Sequence, residues 1–315
     1  MNMKRFITRY RRELSVALAY ALFLLLLAVA APRFFGSEPL RAFVVRSAPV
    51  LVAAVGMTLI IVCRHIDISV GSQFSICGVV AGLLAKTGAP MPIVGLGTLL
   101  AGAGMGAVNG ALVAGLGMPS IVVTLATMVI LRESLRYLRE GEFVRNLPQA
   151  FQWFGAGQAE GQWLVVGIAL TLLTLFAWSL RNVAAGRAVY ATGSDAEAAR
   201  LAGIRPQRVV FSVFVVMGAL AGLAALLNAV RFGDVDPNSG AGLELQVIAA
   251  VVVGGAAVSG GRGTLIGTLI GVCLLGSIGP ALVFLNAEAQ WEKAIQGLII
   301  LLAVASDALY KEGNS

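Results

Sequence analysis

Residues 14–31 read LSVALAYALFLLLLAVAA, an uninterrupted apolar run of 18 residues. A helix needs about 20 predominantly apolar residues to cross the hydrocarbon core of a bilayer. The preceding segment, 1–13, holds five basic residues, so the two together could also form a secretory signal peptide. The run is longer than the usual apolar region of such a peptide, and no soluble domain follows it. We therefore predict that 14–31 is a first transmembrane helix that is not cleaved.

The rest of the chain is similarly apolar. Of its 315 residues, 58% are hydrophobic and 12% are charged, whereas a soluble domain has about 25% charged residues. The mean hydropathy is +0.88. A soluble core of this length cannot bury so much apolar surface. This composition excludes a soluble enzyme, a nucleic-acid-binding domain, a disulfide scaffold and a disordered chain, and it indicates a protein that faces the lipid bilayer.

Nine further apolar stretches follow the first, which gives about ten transmembrane helices in a single transmembrane domain over 1–315. They are 44–62, 68–85, 91–115, 119–138, 163–181, 209–230, 244–258, 264–284 and 292–310. The stretches 68–85 and 244–258 are short or rich in Gly and Ser, so either could be a broken or re-entrant helix. Helices 2–5 and 7–10 would have opposite orientations, which suggests a possible inverted repeat. The sequence therefore predicts an all-α polytopic membrane protein.

Basic residues indicate the orientation of these helices. The net charge of +7 is explained by the positive-inside rule. With the N-terminus inside, the inner segments hold 13 of the 23 Lys and Arg residues, most of them in the N-terminal segment 1–13 and in the loop 182–208 with the adjoining Arg181. The cluster Arg132–Arg145 falls on the outer side against this rule, beside the polar stretch 139–162, which we predict to be an outer loop. We predict a multi-pass protein of the inner membrane with both termini in the cytoplasm.

Glycines recur every four residues in three of the predicted helices. On a helix this spacing gathers small residues in one stripe, which allows another helix backbone to approach closely. The stripes predict a dense bundle and do not by themselves indicate transport. They consist of Gly102, Gly106 and Gly110, of Gly263, Gly267 and Gly271, and of Gly218 and Gly222.

A few polar residues lie in or beside the apolar stretches, where they serve either a solute pathway or the packing of helices. Asp67 could cap a helix that begins near Ile68, with Arg64 as an ion-pair partner, or it could have a charged functional role. Asn109 and Asn228 lie inside predicted helices, where a buried amide must find partners on another helix or on a solute. The candidate polar residues are Asp67, Ser69, Asn109, Thr124, Asn228 and Glu244.

The predicted cytoplasmic loop 182–208 contains a short helical segment. Thr192 or Ser194 can cap its N-terminus, and Glu197 completes a capping box with Ser194. Gly203 then ends the helix. A short exposed helix is marginally stable unless a partner docks on it. From the residues alone it is therefore either a connector on the membrane surface or a docking element.

Four motifs, in order along residues 10–310, resemble permeases of ATP-binding-cassette importers. Glu197-Ala198-Ala199, followed after three residues by Gly203, is similar to the EAA-x3-G loop of these permeases. Three more stretches resemble the ribose, rhamnose and autoinducer-2 permeases in particular: RHIDISVGS at 64–72, the segment from Asn109-Gly110 to PSIVVTLAT at 119–127, and LELQVIAAVVVGGAAVSGGRGTLIG at 243–267. The chain departs from this pattern at Arg132-Glu133 and at 139–142, near the outer mouth.

The resemblance implies a membrane subunit that translocates a small sugar or sugar-like solute. It implies three protein partners: a separate ATP-binding subunit, a periplasmic or extracellular solute-binding protein, and a second permease copy or a paralogue. It also implies that the loop couples to the ATPase through Ser194, Asp195, Glu197, Ala198, Ala199 and Gly203.

The sequence shows no site for chemistry of its own. It contains no G-x-x-x-x-G-K-[ST], HExxH or GxSxG motif, and its cysteines, Cys63, Cys77 and Cys273, lie far apart. We therefore predict no metal, no cofactor and no nucleic-acid partner, and an energy source on another subunit. A membrane enzyme would need a site that is lacking. A stand-alone secondary transporter or channel remains the alternative, with Asp67 and Glu244 as the carboxylates near apolar spans that could couple an ion.

Overall fold

The computed structural model describes residues 11–288 and 290–312, so most of the predicted inner segment 1–13 lies outside the described residues. Helices account for most of the described chain. We number them α1 (Arg11–Ala30), α2 (Ser37–Val62), α3 (Val70–Lys86), α4 (Met91–Gly110), α5 (Ser120–Arg139), α6 (Gln158–Asn182), α7 (Ala184–Ser194), α8 (Ala196–Leu201), α9 (Pro206–Ala229), α10 (Leu243–Val253), α11 (Leu265–Phe284) and α12 (Trp291–Glu312).

Each predicted span contains one of these helices, which confirms the all-α polytopic fold. In the described part of the chain, α2, α6, α9, α11 and α4 with its π-helical extension to Gly115 are long and apolar enough to cross a membrane. Helix α3 is continuous over 17 residues, so of the two alternatives given for 68–85, a broken or a re-entrant helix, the broken helix is not found. Helix α10 has 11 residues and is followed by a non-helical segment up to Thr264, which agrees with the short or broken helix predicted at 244–258.

The centre of the bundle is formed by α2 and α9. Every residue of α2 from Leu51 to Val62 is buried, and α9 packs against α2, α3 and α4. Lipid-facing helices are also apolar, so it is the burial of α2 and α9 by neighbouring helices that places them inside the bundle. These two helices therefore carry the core on which the other spans are placed.

The neighbours of the helices follow a matched pattern. Helix α3 packs against α4, α5 and α9, while α10 packs against α11, α12 and α2. If α2 corresponds to α9, each contact in the first half has a counterpart in the second half. An inverted repeat of the predicted helices 2–5 and 7–10 would give this arrangement.

The glycine stripes lie where helix backbones touch. A Cβ atom on Gly102 would overlap the carbonyl oxygen of Gly218, and one on Gly106 would overlap that of Phe214. Gly110 contacts the same part of α9. These glycines explain why α4 and α9 can pack so closely.

The second stripe is shorter than the sequence predicts. Gly267 and Gly271 face α10, where a Cβ would overlap the carbonyl oxygens of Gly254 and Ala250. Gly263 is not part of the stripe, because α11 begins at Leu265 and its N-cap is Thr264, whose side chain accepts a hydrogen bond from the backbone of Gly267. The cap fixes the start of the helix at Leu265, two residues after Gly263.

The predicted outer loop, 139–162, is shorter in the structure. Helix α5 continues to Arg139 and α6 begins at Gln158, with a short 3-10 turn between them. Val144 and Val235 exchange both backbone hydrogen bonds at 3.0 Å, which ties this loop to the segment before α10.

Candidate functional site

The chain reverses direction immediately after α2. Arg64 adopts a positive φ of 72°, and its guanidinium Nε donates to the carbonyl oxygen of Ser259 at 2.7 Å. Arg64 is therefore directed towards the loop between α10 and α11. The predicted ion pair between Arg64 and Asp67 is wrong, because the turn separates the two side chains.

Asp67 lies beyond this turn and is completely buried. Its Oδ1 accepts hydrogen bonds from the backbone amide of Ser69 at 2.9 Å and from the Ser69 hydroxyl at 2.6 Å. Its Oδ2 accepts one from Gln73 Nε2 at 3.2 Å. Helix α3 begins at Val70 with Ser69 as its N-cap residue, so Asp67 closes the turn before the helix and does not cap a helix that begins near Ile68.

Ser69 is the centre of this polar group. Its hydroxyl donates to Asp67 and accepts from Gln73 Nε2 at 2.7 Å and from Asn109 Nδ2 at 2.8 Å. Asn109 lies on α4, so it makes the contact between elements that is expected of a buried amide. We call Asp67, Ser69, Gln73 and Asn109 the Asp67 cluster.

Thr124 lies beside the Asp67 cluster without joining it. Its hydroxyl is placed 2.8 Å from the carbonyl oxygen of Ser120 and 3.3 Å from that of Ile66.

Gln73 belongs to the cluster although the sequence prediction omits it. An amide one helical turn after Ser69, in an otherwise apolar helix, is the signal that could have identified it.

The hydrogen bonds of the cluster point inward to one carboxylate. Two neutral donors of Ser69 serve Oδ1 of Asp67, and one of Gln73 serves Oδ2. The oxygens Gln73 Oε1 and Asn109 Oδ1 are buried without a partner in the described structure. The cluster therefore joins the start of α3 to the end of α4, with the carboxylate as the acceptor that holds the donors together.

Glu244 and Asn228 lie apart from this cluster. Glu244 is buried in the first turn of α10, and its Oε1 is 3.4 Å from Nη2 of Arg132 on α5. Its Oε2 is buried and has no partner in the described structure. Asn228 Oδ1 accepts from Arg231 Nη1 at 3.3 Å, three residues along the chain. The prediction of an interhelical bond for Asn228 is wrong, because a neighbouring guanidinium already supplies a donor.

The loop between α6 and α9 contains two helices rather than one. Helix α7 ends at Ser194, and α8 is capped by Asp195, whose Oδ1 accepts from the backbone amides of Glu197 at 2.9 Å and Ala198 at 3.0 Å. Thr192 and Ser194 therefore do not cap this helix. The predicted capping box is also wrong, because Glu197 pairs with Arg200 within α8.

Helix α8 presents an apolar residue to its surroundings. Leu201 is 80% exposed and Ala198 is exposed, whereas Ala199 is buried against its own chain. Of the two alanines that the resemblance assigns to coupling, Ala198 is therefore accessible to a partner and Ala199 is not. Gly203 has a φ of 82° and ends the helix as the sequence predicts, since glycine adopts this left-handed conformation without steric cost.

Helix α7 is fixed to the bundle at its C-terminal end. A Cβ on Gly193 would overlap the carbonyl oxygen of Val62 at the end of α2, and the amide of Gly261 donates to that same oxygen at 2.9 Å. The end of α2, the end of α7 and the loop before α11 thus meet at one place.

Comparison with known proteins shows a close family match. The family model for the permease component of branched-chain amino acid transport systems matches residues 40–304. The autoinducer 2 import system permease protein LsrC of Escherichia coli (strain K12 / DH10B) is 34% identical over 297 residues, which cover 94% of this chain and 86% of that protein. LsrC of Salmonella typhimurium (strain LT2) is 36% identical over 257 residues, which cover 82% and 74%. No solved structure matches the chain.

Proposed function

The chain belongs to the family of permease components of branched-chain amino acid transport systems, and from this membership we propose that it is the membrane-spanning subunit of an ATP-binding-cassette importer. The similar proteins named above are autoinducer 2 import permeases. We propose that this chain likewise translocates a small sugar or sugar-like solute, such as ribose, rhamnose, galactose or autoinducer 2.

The observation that carries the proposal is the exposed helix α8. It has six residues, its own N-cap, and an almost fully exposed leucine at its end. Such a short helix gains little stability by itself, so docking on a partner explains its presence. Its contact with α2 and the α10–α11 loop, through α7, supplies a route by which a partner could move the spans. The proposed partner is an ATP-binding subunit.

The same family membership supports the remaining partners. A solute-binding protein would deliver the solute from outside, and a second permease copy or a paralogue would complete the transporter.

A stand-alone ion-coupled transporter is less well supported. Both oxygens of Asp67 are occupied by neutral donors, and Glu244 is paired with Arg132.

The coupling role of α8 is tested by Leu201→Asp. Burial of an exposed leucine contributes about 1.5–3 kcal/mol, so its replacement by a charged residue should weaken ATPase binding about tenfold or more. We expect the variant to insert normally, while co-purification of the ATP-binding subunit and solute uptake fall together. The matched control is Ala287→Asp, which places the same charged residue at an exposed position just after the C-terminal end of α11. Wild-type complex and uptake in Leu201→Asp would contradict the coupling role.

The proposed orientation is tested by reporter fusions. A fusion at Lys311 in α12 should report the cytoplasm, and one at Pro148 in the loop between α5 and α6 should report the outside. We expect these results because a chain with ten spans and a cytoplasmic N-terminus has its C-terminus in the cytoplasm and the loop after the fifth span outside. Cytoplasmic fluorescence of a fused protein and periplasmic enzyme activity provide two complementary measurements. If both fusions report the same side, the topology is wrong.

A further inference from the structure

A large cavity lies between α3, α5 and the segment before α10. Its volume is about 670 Å³, which is in the range of about 300–1,000 Å³ found for small-molecule sites. It extends from Glu140 and Gly141 at the end of α5 to Gly71 in the first turn of α3. We call this cavity the outer groove. It is separate from helix α8 and from the Asp67 cluster.

The floor of the outer groove is formed by two backbones in contact. A Cβ on Gly71 would overlap the carbonyl oxygen of Gly240, and a Cβ on Gly240 would overlap that of Gly71. The amide of Gly240 also donates to the Ser75 hydroxyl oxygen at 3.0 Å. The groove is therefore closed at this depth by main chain rather than by mobile side chains.

An incompletely satisfied ion pair lies at this floor. Arg132 lines the groove and is about half-exposed, and its Nη2 is 3.4 Å from Glu244 Oε1. The other carboxylate oxygen, Oε2, lies against Gly71, where it is buried and unpartnered. A guanidinium has five N–H donors, and this long contact uses one of them. Arg132 therefore keeps donors that face the groove, while Glu244 holds its guanidinium from behind the floor.

Two serine hydroxyls add one further hydrogen-bond donor and one further acceptor to the groove. Ser75 accepts from Gly240, which leaves its own proton free to be donated. Ser72 donates to the carbonyl oxygen of Met128 at 2.9 Å, which leaves its lone pairs free to accept. Neighbouring hydroxyls on a ligand each offer one donor and two acceptor positions. The polar groups of the groove therefore match adjacent hydroxyl groups.

The charges around the groove favour a neutral ligand. Arg132 and Arg136 are accompanied there by Glu133 and Glu140, with Glu244 behind the floor. A phosphate or carboxylate would approach these carboxylates as well as the two guanidinium groups. The mixture suits a molecule that carries hydroxyl groups and no net charge.

We propose that the outer groove is a binding site for a small, uncharged polyol with adjacent hydroxyl groups, and that Arg132 contacts it at the floor, where Glu244 positions the guanidinium from behind. This proposal rests on the proposed function and deepens it by assigning the residues that recognise the solute. The loss of a hydrogen bond to a charged group changes an equilibrium by about tenfold or more. Arg132→Gln and Glu244→Gln should each lower uptake by about this factor.

The test measures uptake of radiolabelled ribose, rhamnose, galactose and autoinducer 2 by cells that contain the whole importer. The matched controls are Arg41→Gln and Glu38→Gln, which remove an exposed ion pair elsewhere on the chain and should leave uptake unchanged. If the wild type takes up none of these solutes, the proposed function fails. If wild-type uptake is normal and the groove variants equal the controls, the groove proposal alone fails.

Two further measurements separate recognition from folding. In the exchange variant Arg132→Glu with Glu244→Arg, restored uptake would show that the pair only joins α5 to α10, and this would overturn the proposal. Asn238→Cys, in a chain without its three native cysteines, places an exposed thiol at the groove while Arg132 and Glu244 stay intact. Its reaction with a neutral maleimide should be slowed by the transported solute, whereas that of Ala287→Cys should not. Equal rates with and without the solute at Asn238→Cys would overturn the proposal.

Discussion

A leucine in place of Gly102 is expected to push α4 away from α9 and to destabilise the permease strongly. The site has no space for a side chain, because the first carbon would overlap the carbonyl oxygen of Gly218. A backbone oxygen cannot move aside as a flexible side chain can. Overpacking of a close-packed interior costs about 1–3 kcal/mol and occasionally more, and we place Gly102→Leu at or above the upper end of this range.

The control for this prediction lies two residues away on the same helix. Gly104 is exposed, and nothing lies within 4 Å of a Cβ built there. Gly104→Leu therefore adds the same side chain to the same helix without a clash. Thermal unfolding of the two variants in detergent, followed by size-exclusion chromatography, should show a large loss of stability for Gly102→Leu alone. Equal unfolding temperatures would disprove the close packing of α4 on α9.

Replacement of Asp67 by leucine is expected to cause a loss of folded protein of comparable size. The substitution leaves the Ser69 amide, the Ser69 hydroxyl and Gln73 Nε2 buried without their acceptor. Each buried donor without a partner costs about 1–3 kcal/mol. The amount of folded protein in the membrane and its unfolding temperature should both fall.

Asp67→Asn should be much milder, because its amide oxygen keeps both bonds from Ser69. Gln73 Nε2 keeps its bond to the Ser69 hydroxyl, so only its 3.2 Å contact with Oδ2 is lost. We expect most transport to remain. Normal abundance and stability without transport would instead show that the negative charge itself is required.

A matched substitution tests whether burial is the cause. Asp236 accepts a hydrogen bond from the backbone amide of Asn238 at 2.8 Å, the same local contact that Asp67 makes with Ser69, but it is only partly buried. In Asp236→Leu, water can replace the lost acceptor. Its effect on stability should therefore be far smaller than that of Asp67→Leu.

The spans could be predicted from the sequence because each depends on its own residues. A run of about 20 apolar residues has one low-energy state in a bilayer, a helix whose backbone groups are satisfied internally. The positions of α4 and α9 follow from this requirement. The glycine spacing on each can be read directly from the sequence. The end of α8 near Gly203 could also be predicted from the sequence, since it depends on the conformational freedom of one residue.

The wrong predictions near the helix ends arose where several neighbouring residues could play the same role. Ser194, Asp195 and Thr192 all have side chains that can cap α8, and the sequence alone does not rank them. The backbone of α7 continues through Ser194, so Asp195 is the residue left with an extended conformation at the cap position. Arg64 and Asp67 are close in sequence, but a turn with a positive φ directs them to different partners.

The sequence by itself determined the all-α polytopic class of the protein, the approximate positions of its apolar helices and the glycine that ends α8. Only the tertiary structure decided that Asn109 meets Ser69, that Ala199 faces its own bundle, and that Arg132 meets Glu244 at the outer groove. The physical reason is the range of the interactions. Apolar length, glycine spacing and helix ends are properties of consecutive residues. A buried polar group, by contrast, is satisfied by residues up to 210 positions away, as in the hydrogen bond between Thr58 and Thr268, and the packing of helices selects those residues.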